Sequence, residues 1–328
     1  MHRFTNILFL YRNLPESNEA LDQAIILAKI NSAKIRVIEI VALHDENFID
    51  QVKQSYRRNI AESIRHRYGG EGSDLLRKLK DSGLNAECKF MTEFSSQRVL
   101  NEVMKHDHDL VVVGVGDNRD YLGDRSGIMI NLIRRCAVPV WIAKAGTKKK
   151  SGRILAAVDP APAPGPFTES ANLLNSQIML TANNLALMGN HGVDVLHCWM
   201  QPMEERLRVE FASKSKVLDN VLSSTRRRHR RWLNYLLKST KIDQIAYRIH
   251  LKKGKAHELI PDFARRQQID LVIMGNFGRT GADSFFDRNT AEEMLCRSDV
   301  SLLVVKPWGF NDFPGLSVAD SEAVCELG

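Results

Sequence analysis

Asp270-Leu-Val-Ile-Met-Gly-Asn-Phe-Gly-Arg-Thr-Gly281, followed shortly by Arg288-Asn-Thr-Ala-Glu292, is the stretch whose reading decides the fold. A run of apolar residues leads into glycines, and a polar pair then precedes a helical pattern. This is the order of a buried strand, a loop and a helix start. It places backbone N–H groups and a helix N-terminus where a phosphate can sit. Gly275 and Gly278 give the loop its freedom, Arg279 continues it, and Asn289 and Thr290 stand at the helix start. Asn289-Thr-Ala-Glu292 also reads as an N-cap with a capping-box glutamate, which needs no ligand to explain it.

Moving outward, the same pattern occurs twice. Ile269-Asp-Leu-Val-Ile-Met-Gly275 echoes His108-Asp-Leu-Val-Val-Val-Gly114. Arg153-Ile-Leu-Ala-Ala-Val-Asp159 echoes Asn6-Ile-Leu-Phe-Leu-Tyr-Arg12, and Val300-Ser-Leu-Leu-Val-Val-Lys306 echoes Val138-Pro-Val-Trp-Ile-Ala-Lys144. The echoes keep their order, and their offset grows along the chain, so the second copy carries insertions. Ile7–Tyr11, Leu110–Val115 and Val140–Ala143 are near-continuous apolar runs, the mark of strands buried on both faces of a parallel sheet. Ile35–Ile40 and Ala86–Met91 are more mixed, as strands nearer a sheet edge are. Leu21, Ala24, Ile25 and Ala28 repeat with a helical period. The fold class is α/β: two tandem, doubly wound, five-stranded parallel-sheet domains, residues 1–147 and 151–310. Residues 311–328 carry acidic side chains, no Lys or Arg and no apolar periodicity, and are expected to form a disordered tail. Pro160-Ala-Pro-Ala-Pro-Gly-Pro166 is expected to be an extended loop before a helix whose pattern begins near Ala171.

Composition excludes several classes. The chain has 328 residues, 44% of them hydrophobic, enough for two packed cores. No apolar run is long enough to cross a membrane, and the N-terminus lacks a signal-peptide pattern, so a cytoplasmic location is expected. The five cysteines show no paired spacing, and the histidines no metal-ligand motif. Free, buried thiols and no metal site are expected. The net charge of +7 is mild for this length but local: Arg226-Arg-Arg-His-Arg-Arg231 holds much of it. That block leads into Trp232-Leu-Asn-Tyr-Leu-Leu237, an amphipathic helix with Trp232, Leu233, Leu236 and Leu237 inward. A solvated face is the plain reading, since no RNA-recognition signature accompanies the arginines. A polyanion such as RNA is the alternative.

Both copies resemble universal stress protein domains, and the chain resembles the tandem, E-type members of that family. The residues that carry the likeness are Gly278-Arg-Thr-Gly281, Asn289-Thr-Ala-Glu292 and Leu303-Val-Val-Lys-Pro307 in the second copy, and Leu132-Ile-Arg-Arg-Cys-Ala-Val-Pro-Val-Trp-Ile142 in the first. The resemblance implies the universal stress protein fold, also described as adenine nucleotide alpha hydrolase-like. It implies a stress-response regulator that binds and signals rather than turns over substrate, with any ATP hydrolysis slow.

In nucleotide-binding members the loop reads G-x-x-G-x9-G-[S/T], and an Asp ends the first strand. Asp159 takes the Asp position, and Gly275 and Gly278 the first two glycines, with Arg279, Asn289 and Thr290 in the flanking contacts. The ligand implied is ATP with Mg, or another adenine nucleotide. Arg288 departs from the pattern by standing at the third glycine. Its side chain either obstructs the approach of phosphate or pairs with an anion itself. The first copy has Arg12 at the Asp position, and Asp117, Asp120 and Asp124 around its loop, so no nucleotide is expected there. The resemblance also implies that the two domains pair with each other within the chain. A second reading stays open, in which the tandem is a scaffold for an apolar small molecule or a protein partner and binds no nucleotide.

Overall fold

A computed structural model describes residues 4–12, 15–40, 75, 77–91, 94–115, 126–144, 152–160, 166–201, 203–211, 215–240, 245–276, 290–307 and 325–326. The chain divides into two compact units, Arg3–Gly146 and Thr147–Phe310, with Asn311–Gly328 grouped with the first.

In the first unit the strands are β1 (Asn6–Tyr11), β2 (Lys34–Ile40), β3 (Ala86–Met91), β4 (Leu110–Val115) and β5 (Val140–Lys144). They pair in the order β3-β2-β1-β4-β5, all parallel. Helices α1 (Pro15–Asn31), α2 (Ser96–Lys105) and α3 (Ser126–Arg135) lie in the crossovers. The strand residues Ile7, Leu8, Phe9 and Leu10 are fully buried, as apolar runs covered on both sides must be. Helix α1 buries Leu21, Ala24 and Ala28, the stripe that its period predicts. Helix α2 starts where the Oγ of Ser95 accepts the N–H of Arg98 at 3.3 Å.

The second unit repeats this plan. Strands β6 (Arg153–Ala157), β7 (Gly192–Trp199), β8 (Tyr247–Lys253), β9 (Leu271–Gly275) and β10 (Ser301–Val305) pair parallel in the order β8-β7-β6-β9-β10. Its helices are α4 (Pro166–Gly189), α5 (Glu204–Glu210), α6 (Ser215–Ser239), α7 (Ala256–Arg266) and α8 (Thr290–Arg297). Helix α4 begins at Pro166, ahead of the expected start near Ala171. Proline is suited to a first helical position, where its missing N–H has no partner to lose. Residues 161–165 of the proline-rich segment lie outside the described residues.

Both units tie the first and fourth strands together at their N-terminal ends with an aspartate. Asp109 accepts the N–H groups of Thr5 and Asn6 and returns its own N–H to the Asn6 carbonyl. Asp270 accepts the N–H of Arg153 at 3.1 Å and returns its own to the Arg153 carbonyl. Of the tail, Cys325–Glu326 is described as a short strand, β11, antiparallel to β3. Among the described residues, no helix is long and apolar enough to cross a membrane.

Candidate functional site

In each unit the chain winds away from the first strand in both directions, so the crevice for a ligand lies where the order reverses, at the C-terminal ends of the first and fourth strands. In the second unit these are β6 and β9, whose register sets Ala157 opposite Met274. Asp159 follows the end of β6, and Gly275 closes β9. The structure therefore brings these two sequence-predicted residues to the same edge. Thr290 is the first residue of α8. Gly278, Arg279, Arg288 and Asn289 lie outside the described residues.

The backbone of Asp159 is fixed from α4. Its N–H donates to Oδ1 of Asn175 and its carbonyl accepts from Nδ2 of the same side chain, both at 2.8 Å. Asn175 is buried, so this clamp works away from competing water. The Asp159 carboxylate is 94% exposed. Surrounding protein pushes its pKa upward and His229 opposes the push. Water at so exposed a carboxylate screens most of both effects.

Behind the carboxylate lies a histidine pair. His197 on β7 is wholly buried, with Nδ1 3.2 Å from the Val158 carbonyl and 3.6 Å from Oδ1 of Asp159. Its Nε2 is 2.8 Å from Nδ1 of His229 on α6. The tautomer that satisfies both bonds has His197 donating from Nδ1 to Val158 and accepting at Nε2 from His229. Burial pushes the His197 pKa down to about 4, so the ring is neutral at pH 7. His229 is lowered for the same reason, and packs beside Trp199 and edge-on to Trp232.

Gly275 has a packing reason to be glycine. A Cβ there would sit 2.5 Å from Cδ2 and 2.8 Å from Cγ of Leu174, a buried residue of α4. The close approach of α4 to the strand end thus requires glycine, whatever the loop beyond it holds.

Sequence reasoning found Asp159 and Gly275 but missed Asn175, His197 and His229. A histidine within the apolar strand Gly192–Trp199 was the available signal; nothing in the sequence marks Asn175. In the first unit, Arg12 occupies the matching place, and its N–H donates to the Ser17 Oγ at 3.3 Å. Asp117, Asp120 and Asp124 lie outside the described residues. Cys88 and Cys136 are buried as expected, and burial pushes the Cys88 and Cys198 thiols up to about 12, which makes them poor nucleophiles. Among the described residues, no group of three His, Cys, Asp or Glu is arranged to hold a metal.

The sequence profile of the Universal stress protein family matches residues 3–144 and 152–306, one copy for each unit. The chain belongs to the universal stress protein family. It is a tandem member. Universal stress protein E of Salmonella typhi is 29% identical over 217 residues, and the chain spans 64% of that relative's length. A Universal stress protein E homolog of Haemophilus influenzae is 24% identical over 321 residues, covering 93% of this chain and 98% of its own. Among solved structures, a functionally unknown protein from Pseudomonas aeruginosa superposes with a TM-score of 0.66 at 19% identity, covering 93% of each chain. A universal stress protein from Archaeoglobus fulgidus gives 0.57 at 15% identity, over 93% of this chain and 97% of that one. These structures share the tandem universal stress protein fold.

Proposed function

We propose that this tandem universal stress protein is a non-enzymatic stress-response regulator whose second unit binds an adenine nucleotide, with Mg-ATP as the candidate ligand. The observation that carries the reading is Asp159. Its backbone is clamped by Asn175, its carboxylate is free in solvent, and it stands at the switch point beside the end of β9. A carboxylate exposed at this rim can accept hydrogen bonds from the hydroxyls of a ribose. Thr290, at the start of α8, lies where N–H groups and the helix dipole favour a phosphate. Gly278, Arg279, Arg288 and Asn289 complete the proposed set through the family's loop pattern. Among the described residues no general base is paired with a nucleophile around Asp159, and the neutral His197 is turned to a backbone carbonyl and to His229. This arrangement favours binding over turnover.

Calorimetric titration of the full chain with Mg-ATP tests the reading. One-to-one binding that Asp159→Ala weakens by roughly tenfold or more supports it, a loss in the range expected for a hydrogen-bonded charge. Absence of heat with folded protein refutes it. The second reading, a scaffold for an apolar small molecule or a protein partner, is favoured by the packing of Leu174 on Gly275, which accounts for that glycine without a phosphate.

A further inference from the structure

Helix α6 has two lysines and five arginines against a single carboxylate, Asp219. The net charge of the entire chain is +7, so this one helix holds nearly all of the excess. Its fold explains where those charges point. Thr225, Leu233, Leu236 and Leu237 are buried, and His229 turns inward to His197. At 3.6 residues per turn, Arg227, Arg230, Arg231, Asn234 and Lys238 share the opposite face, and all five are exposed. Beside them Tyr235 is 70% exposed.

The other surface helices of this unit pair most of their arginines, Arg206 of α5 being the exception among the described residues. Arg208 pairs with Glu204, Arg265 and Arg266 with Asp262, and Arg297 with Glu293, each three or four residues away on the same helix. Helix α6 does the reverse. Arg226 lies one turn from Arg230, and Arg227 one turn from Arg231, spacings at which like charges destabilise a helix. Among the described residues, no carboxylate forms an ion pair with any of the four. Folding gains nothing from this arrangement, whereas an external polyanion would relieve the repulsion.

We propose that the outer face of α6 binds single-stranded nucleic acid, with Arg227, Arg230, Arg231 and Lys238 on phosphates and Tyr235 stacked on a base. Arg227 and Arg231 stand one turn, about 5.4 Å, apart and Lys238 two turns further, so the face presents cations to phosphates along a flexible strand. An exposed ring flanking a basic track is the combination that single strands use. A membrane surface needs apolar side chains on the contacting face, whereas Leu233, Leu236 and Leu237 of α6 are buried and the exposed Val217 lies well before Arg227, nearer the helix start. This site is separate from the Asp159 crevice, and its test does not depend on nucleotide binding.

The experiment titrates the full chain into a short fluorescein-labelled oligouridylate and follows anisotropy from low to physiological salt. The expected result is binding that weakens steeply with salt. Arg227→Gln, Arg230→Gln and Arg231→Gln together should flatten the log–log salt slope by about two, at roughly 0.7 per phosphate, and lower low-salt affinity by roughly tenfold or more. Because the triple variant removes like-charge pairs, it should melt no lower than the native chain. Tyr235→Ala should weaken RNA several-fold, about the loss of one stacked base, and leave binding of inorganic polyphosphate unchanged. Absence of RNA binding overturns the proposal, as does binding that the triple variant leaves intact. Equal affinity for polyphosphate and RNA with no effect of Tyr235→Ala overturns the stacked-base assignment. Binding to phosphatidylglycerol vesicles that RNA does not displace reassigns the face to a membrane.

Discussion

Gly275→Ala separates the packing role of this glycine from any role in a phosphate loop. Its backbone is not in the left-handed region, so alanine meets no conformational penalty there. Replacing glycine should even stabilise by about 0.4–1 kcal/mol through the unfolded chain. Against this stands the new Cβ, 2.5 Å from Cδ2 and 2.8 Å from Cγ of Leu174. Because the Cγ is involved, rotation about the outer torsion alone does not clear the contact. Leu174 is only 3% exposed, so it has no solvent space to enter. Overpacking of this kind costs about 1–3 kcal/mol, and a mid-range cost of about 2 kcal/mol leaves a net loss of about 1–1.6 kcal/mol. Urea unfolding of the full chain, followed by far-UV circular dichroism and by tryptophan fluorescence, reads the loss in the transition of the second unit. The decisive comparison is a double-mutant cycle with Leu174→Ala. In that background the clash is gone, so Gly275→Ala should be neutral or stabilising, with a coupling of at least about 1 kcal/mol. A neutral or stabilising Gly275→Ala in the native background, or additivity in the cycle, refutes the packing account.

Three further outcomes follow from buried polar groups. Asp194 is fully buried and accepts from Arg153, Arg248 and His250, and burial, which raises its carboxyl pKa, is outweighed by these partners so that the pKa falls. Asp194→Ala should cost about 3–5 kcal/mol in denaturant unfolding by stranding the partly buried Arg153, and a loss below about 1 kcal/mol would show the network to be dispensable. His108 and His197 both fall to about 4, chiefly by burial, so the unfolded chain, with histidine near 6.5, takes up protons first as pH drops. Stability should therefore be complete above about pH 6.5 and decline towards pH 4, by up to about 3 kcal/mol per histidine at 1.36 kcal/mol per pKa unit; a melting temperature flat across that window would contradict the burial of both rings. Asn175→Ala should cost about 1–2 kcal/mol in urea unfolding by orphaning the Asp159 N–H, and should weaken Mg-ATP in calorimetry if that nucleotide binds; full retention of stability would remove the clamp.

The strands were legible because burial on both faces forces apolar runs, and because two copies of the same run cannot arise from one misread segment. Asp109 and Asp270 were visible as part of a repeat, although their bonds to the first strand were not. The limits have physical causes. Leu174, Asn175, His197 and His229 reach the crevice from three elements far apart in sequence, and no local spacing encodes a contact made across a sheet. The start of α4 was placed late because Pro166 reads as part of a proline-rich loop, whereas the same residue suits the first turn of a helix. The basic block on α6 was read as a solvated face because sequence shows charge without its partners. The absence of ion pairs to its arginines among the described residues changes the weight of that reading.

The two crevices show which features belong to the fold and which to the ligand. Past the end of each first strand one backbone N–H has lost its sheet partner. In both units a side chain from the following helix captures it, Ser17 for Arg12 and Asn175 for Asp159. Ser17 and Asn175 are both buried, so the device is the same although the residues differ. It needs only an acceptor on the first helix, and it fixes the Cα of the next residue at the crevice rim without constraining its side chain. Arg12 and Asp159 therefore stand on equivalent supports with opposite charges. A preformed support that accepts either sign cannot itself be evidence for a nucleotide, and the difference between the units must come from the side chains it presents. An anion at the rim of the second unit accepts hydrogen bonds from a neutral polyol, whereas a cation at the rim of the first donates them. If both crevices bind, they select different ligands, and loss of the Asp159 carboxylate should leave the first unit untouched.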